Sequence, residues 1–129
     1  MVELKKPVVR VFKTGWFSKA ARKAGIKDDE LCDAIAEVMK GQCDDLGGGV
    51  YKKRLDKNRH RGILLSKGAP HWIYTYLFAK KDRDNIDDDE LVDFKKLTKF
   101  YAGLTDKQLE KLIELKDLQE ICRAEEKNL

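Results

Sequence analysis

Long apolar runs are missing from this chain of 129 residues. Nothing in it approaches the ~20 consecutive apolar residues that a membrane-crossing helix needs, and no leader-like pattern opens it. A cytoplasmic protein with no membrane partner is therefore expected. Cysteine is scarce and odd in number: Cys32, Cys43 and Cys122 stand far apart with no CxxC pair. The two histidines, His60 and His71, do not complete a zinc pattern. Three idle thiols in a reducing compartment are expected, with no metal and no cofactor. Phosphate-loop and calcium-loop patterns are missing too. Gly47-Gly48-Gly49 is followed by a strand-like segment and no Lys-Ser/Thr, and the acid run over residues 82–90 lacks the glycine and spacing of an EF-hand. A flexible turn and a helix cap at Asp87 or Asp88 explain these two stretches better.

What the chain does have is charge. Charged residues make up 39% and apolar residues 42%, enough for one folded domain with a strongly solvated surface. The net charge of +4 conceals an asymmetry, since residues 1–81 hold 18 Lys/Arg against 9 Asp/Glu, and residues 82–129 hold 9 against 14. Residues 51–67 alone contain seven basic side chains and one acid. So local a positive field favours a polyanion, and nucleic-acid phosphate first, because backbone contacts supply most of the affinity in such complexes. The competing reading is a merely solvated basic face.

Hydrophobic periodicity sets out the elements. Residues 8–12 form a β-branched and aromatic strand, and Thr14 caps a short helix through residue 23 that Gly25 ends. Leu31, Ile35 and Val38 mark a second helix, with Asp28 or Asp29 as its cap. Two strand-like segments follow, residues 50–55 and 61–66, joined by a polar turn. After a second turn at residues 67–70 comes the strongest strand, residues 71–79. Leu91, Phe94, Leu97 and Tyr101 then repeat at helical spacing, as do Leu109, Leu112 and Ile113, and a third short helical piece holds Leu118 and Ile121. The prediction is a single α+β domain over residues 1–129. A small, mostly antiparallel sheet (strand, two helices, three-strand meander) spans residues 8–81, and a helical tail spans 87–122. The first strand, returning across two helices, can lie parallel to a neighbour. Trp16, Phe17, Trp72 and Tyr76 are aromatics that could stack on bases, as could Tyr51 and Tyr74, but core packing is the expectation for Trp16, Trp72 and Tyr76.

Strand alternation points Lys52 and Arg54 to one face and Tyr51, Lys53 and Leu55 to the other. Arg61 opens the next strand beside that pair, and Lys80 and Lys81 follow the last strand of the meander. The stretch Tyr51-Lys52-Lys53-Arg54-Leu55, then His60-Arg61, then Phe78-Ala79-Lys80-Lys81, resembles the RelE/HigB toxins of type II toxin–antitoxin systems. Phe12-Lys13-Thr14 with Trp16-Phe17, Asp45-Leu46-Gly47-Gly48-Gly49, Leu104-Thr105-Asp106 with Gln108-Leu109, and Leu118-Gln119-Glu120-Ile121 resemble the subgroup with a longer helical tail.

The resemblance implies a metal-free endoribonuclease that cuts messenger RNA, in this family usually at the ribosome, and so inhibits translation. It also implies a cognate antitoxin partner, commonly a helix-turn-helix protein. It places Lys52, Arg54, Arg61 and Lys81 at the cationic catalytic positions. Lys52, set among cations, is the expected base, and Arg54 and Arg61 fork onto phosphate oxygens. The proton donor is open between Lys81 and His60, since Asp84, Asn85 and Asp87 stand where some relatives carry a tyrosine, and no histidine follows His71. Lys53, Lys57, Arg59, His60, Lys67 and Lys80 are expected to dock RNA. Alternatives are a catalytically inactive RNA- or ribosome-binding member of the same fold, a ParE-like inhibitor of DNA gyrase (which the dense cationic set argues against), and a pure interaction protein.

Overall fold

The computed structural model describes residues 8–66 and 71–125. The turn expected at 67–70, with Lys67, lies outside the described residues. Strand β1 (Val8–Thr14) runs into helix α1 (Gly15–Ala24). Thr14 Oγ1 accepts the Phe17 N–H at 3.1 Å, and Gly25 closes the helix in the left-handed conformation at φ 76°, which glycine tolerates without strain. Helix α2 (Asp28–Met39) corrects one expectation. Its N-cap is Lys27, with no side-chain cap, so Asp28, Asp29 and Glu30 lie inside the first turn, where they face the positive end of the helix dipole.

The triple glycine is a turn, but between two strands. β2 (Asp44–Gly47), not foreseen, pairs with β3 (Val50–Leu55). Gly49, at φ 83°, sits so close to the Ser66 carbonyl that no Cβ fits there. β4 (His60–Leu65) and β5 (His71–Ala79) complete the meander. α3 (Asp88–Ala102) starts on a capping box between Asp87 and Glu90, and α4 (Asp106–Glu114) on one between Thr105 and Gln108.

The final segment is a second correction. Leu118 and Ile121 belong to a strand, β6 (Leu118–Glu125), which pairs antiparallel with β1 from Val8↔Glu125 to Thr14↔Leu118. Without it β1, with Val11 and Phe12 fully buried, would present unpaired backbone along its outer edge. The expectation of three idle thiols is corrected as well. Cys32 on α2 and Cys122 on β6, 90 residues apart, form a disulfide with Cα atoms 6.3 Å apart, and Cys43 stays free.

The fold is α+β, with sheet order β2-β3-β4-β5-β1-β6. Among the described residues only β1 and β5 pair in parallel, as their connection by way of helices allows. One face of the sheet packs on α1 and α2 through Val11, Phe17, Leu31, Ile35, Leu64 and Tyr74. The other packs on α3 through Val50, Ile63, Leu65 and Phe78, with Phe94 and Leu97 partly buried against them. Phe12, Ile73, Leu109 and Leu118 form a smaller cluster that α4 covers. Among the described residues no helix is long and apolar enough to cross a membrane.

Candidate nucleic-acid interface

Register decides which cations share a surface. Lys52 pairs with Ile63 and Ile63 with Tyr76; Arg54 pairs with Arg61 and Arg61 with Phe78. Residues opposite one another in an antiparallel ladder point the same way. Lys52, Arg54 and Arg61 therefore lie on the α3 side of the sheet in two adjacent rows. The structure does not bring Lys53 to them. It points to α2, is 8% exposed, and is paired with Glu37 at 3.0 Å. His60 is turned away too. Its register partner is Leu55, which lies in the core under α2, and its Nδ1 is 3.0 Å from the Asp56 carboxylate. Both placements follow from the two-residue period of a strand.

The three cations on the α3 side have unequal surroundings. Lys52 keeps only 14% of its side chain exposed, and its Nζ lies 3.5 Å from Asp44 Oδ2 and 3.5 Å from the Asp84 carbonyl oxygen. Both of these partners are acceptors, whereas the sequence set Lys52 among cations. Arg54 is exposed, and among the described residues it makes no hydrogen bond or ion pair. Arg61 is buried at 8% exposure and spends Nη1 on the carbonyls of Asn58, at 3.0 Å, and His60, at 3.2 Å. In the free protein it holds the hairpin turn.

That turn is strained and heavily tied. Asp56, Lys57 and Asn58 adopt φ of 54°, 52° and 70°, a left-handed run of three non-glycine residues. Conformations of this kind cost on the order of 1 kcal/mol or more each and persist where surroundings impose them. Here the Glu30 carboxylate accepts the Asp56 N–H, and Arg59 donates to Asp56 Oδ1 at 2.7 Å and to its carbonyl at 3.2 Å. Hydrogen bonds from Arg59, and secondarily from His60, hold the Asp56 carboxyl below the usual carboxylate range. The result presents Lys57 and Arg59, both exposed, at the tip. The Lys80 N–H donates to the Arg59 carbonyl at 2.9 Å, so exposed Lys80 and Lys81 border the same tip.

On this face one residue escaped the sequence reading and one was misplaced by it. Arg83, inside an acid run that reads as a helix cap, lies 5.5 Å over the Phe78 ring and donates to Asn85 O at 2.9 Å, to Tyr76 Oη at 3.4 Å and to the Glu90 carboxylate. It holds the Glu90 carboxyl below its ordinary range. Trp16, expected in the core, is 53% exposed and packs on Tyr76 with ring centroids 5.0 Å apart. No local pattern signals either position. Among the described residues there is no cluster of His, Cys, Asp and Glu suited to a metal ion.

This arrangement, a half-open cationic sheet face bounded by a basic hairpin tip, agrees with the comparison to known families. The family model for the RelE toxin of the RelE/RelB toxin–antitoxin system matches residues 9–121. The chain belongs to the RelE toxin family. The match runs from β1 into β6, so it takes in every strand of the sheet. As a RelE-family toxin the protein has a cognate antitoxin as its implied partner. No curated protein and no solved structure gives a significant match.

Proposed function

We propose that this RelE-family toxin is a messenger-RNA endoribonuclease, acting without metal on RNA at the ribosome, with Lys52, Arg54, Arg61 and Lys81 as its working cations. The observation that carries this reading is Arg54: exposed, without a partner among the described residues, and beside Lys52 and Arg61 on one face. A guanidinium in that position is available to fork onto a phosphodiester. Lys57, Arg59, Lys80 and Lys81 extend the positive rim along which a backbone would lie.

The chemistry is an in-line attack. The ribose 2′-oxygen bonds to phosphorus and the P–O5′ bond breaks, leaving a 2′,3′-cyclic phosphate and a 5′-hydroxyl. Lys52, in its neutral amine form, takes the 2′ proton, Arg54 stabilises the charge on the phosphoryl oxygens, and Arg61 supports the turn. With His60 facing α2, Lys81 supplies the proton to the leaving oxygen.

The test is induced expression followed by primer-extension mapping of cellular messages. Cuts within translated codons that vanish in Lys52→Ala and Arg54→Ala are the expected result. Growth arrest with intact messages and altered supercoiling would replace this reading with gyrase inhibition. RNA binding without cutting would leave a catalytically silent docking protein.

A further inference from the structure

We propose that Trp16, seated on Tyr76, is the stacking platform for a nucleobase of single-stranded RNA, a few nucleotides along from the phosphate held by Lys52 and Arg54. The inference rests on the RNA-cleaving reading and deepens it by giving the surface a base-reading end.

Three observations and one general principle converge on it. First, Trp16 is a large aromatic left 53% exposed, although the residue beside it, Phe17, is fully buried against Tyr74 with centroids 5.0 Å apart. Burying so much apolar surface is favourable, and a base offers a flat partner for it. Second, the ring is held in place. The Thr14 cap and the Phe17 anchor fix the first turn of α1, and Tyr76 beneath Trp16 is packed in turn by Phe78 at 5.8 Å and Phe94 at 6.1 Å. Little conformational freedom remains to be lost when a base stacks.

Third, the platform lies on the cationic face. Tyr76 shares a cross-strand row with Lys52 through Ile63, two strand spacings or about 10 Å away. Arg83 lies beside the Tyr76 hydroxyl at 3.4 Å. Fourth, an aromatic at one end and phosphate-binding cations at the other is the pairing that single-strand binders use, with stacking adding to backbone electrostatics and tolerating any base. A duplex keeps its bases stacked on one another, so the preferred ligand is unpaired RNA.

Trp16 and Trp72 are the two tryptophans of the chain, so Trp72→Phe leaves Trp16 as the sole reporter. That variant is titrated with a short single-stranded oligoribonucleotide carrying 2′-O-methyl groups, which cannot be cut, and with inorganic polyphosphate. Saturable quenching of Trp16 by the RNA and not by polyphosphate is expected. In the wild-type background, Trp16→Ala should weaken RNA binding roughly ten-fold, the scale of one lost base stack. Trp16→Phe should recover most of that loss. The salt dependence of binding should stay unchanged in both, because no phosphate contact is removed, whereas Arg54→Ala should flatten it by about one unit of slope.

If RNA binding stays steep in salt but is indifferent to Trp16→Ala, or if polyphosphate quenches Trp16 as well as RNA does, the platform is overturned and the RNA reading stands. If the wild-type protein binds no RNA at all, both fall.

Discussion

Replacing Arg61 and Arg54 separately with alanine should split stability from chemistry, although both are arginines of one register pair. Arg61 is buried, with Nη1 bonded to the Asn58 and His60 carbonyls and its strand position opposite Phe78. Its removal deletes two charge-assisted hydrogen bonds and frees a turn in which three non-glycine residues hold positive φ. Hydrogen bonds from charged donors are worth about 1.5–3 kcal/mol each when lost from buried sites, and some relaxation of the turn offsets part of this, so Arg61→Ala should cost about 2–4 kcal/mol. Arg54 is exposed with no partner among the described residues, so Arg54→Ala should stay within about 0.5 kcal/mol of wild type. Urea unfolding followed by circular dichroism measures both. The cutting assay should register the reverse emphasis for Arg54: nearly unchanged folding with cleavage lost. Arg61→Lys, which keeps the charge but not the planar fork, should recover only part of the stability. The reasoning is refuted if Arg61→Ala unfolds at the wild-type urea concentration, or if Arg54→Ala destabilises the protein as much as Arg61→Ala does.

Other outcomes follow from the same contacts. Gly49→Ala would place a Cβ 2.4 Å from the Ser66 carbonyl at φ 83°, so it should destabilise the protein by about 2–4 kcal/mol, read as a lower urea midpoint. Glu120, hydrogen-bonded to Arg10 and then Arg123, is pulled down to about 2 from 4.5. A carboxyl depressed on folding contributes stability above its unfolded value and loses it as pH falls toward the folded one. Urea midpoints should therefore drop between about pH 4.5 and 2 in wild type, and drop less in Glu120→Gln. Lys81→Ala should slow RNA cutting about a hundred-fold, the scale of a lost general acid, while weakening RNA binding by no more than another rim cation such as Lys80→Ala does. If Tyr76→Phe slows cutting that far and Lys81→Ala does not, the Tyr76 phenol beside Arg83 is the donor instead.

Much of the fold was legible from local pattern. Thr14, Gly25, Asp87 and Thr105 punctuate helices because caps and left-handed turns are properties of a few neighbouring residues. The two-residue period of β3 was enough to separate Lys52 and Arg54 from Lys53, and register bore that separation out. The sequence by itself determined the α+β class, the order of elements from β1 to α4 apart from β2, the concentration of positive charge in residues 51–67, and the side of the strand on which the cations stand.

Tertiary structure decided the rest, because each remaining feature depends on what is packed opposite. Residues 118–121 have too short a pattern to distinguish helix from strand; they are β6 because β1 has an unpaired edge to fill. Cys32 and Cys122 meet only because β6 returns past α2. Arg61 reads in sequence as an open cation and is buried by its own hairpin tip. Trp16 reads as core and is left exposed because Phe17, one residue on, takes the place under α1 against Tyr74. Periodicity ranks residues by face along one element, but the neighbour that covers a face, or leaves it open, comes from distant parts of the chain.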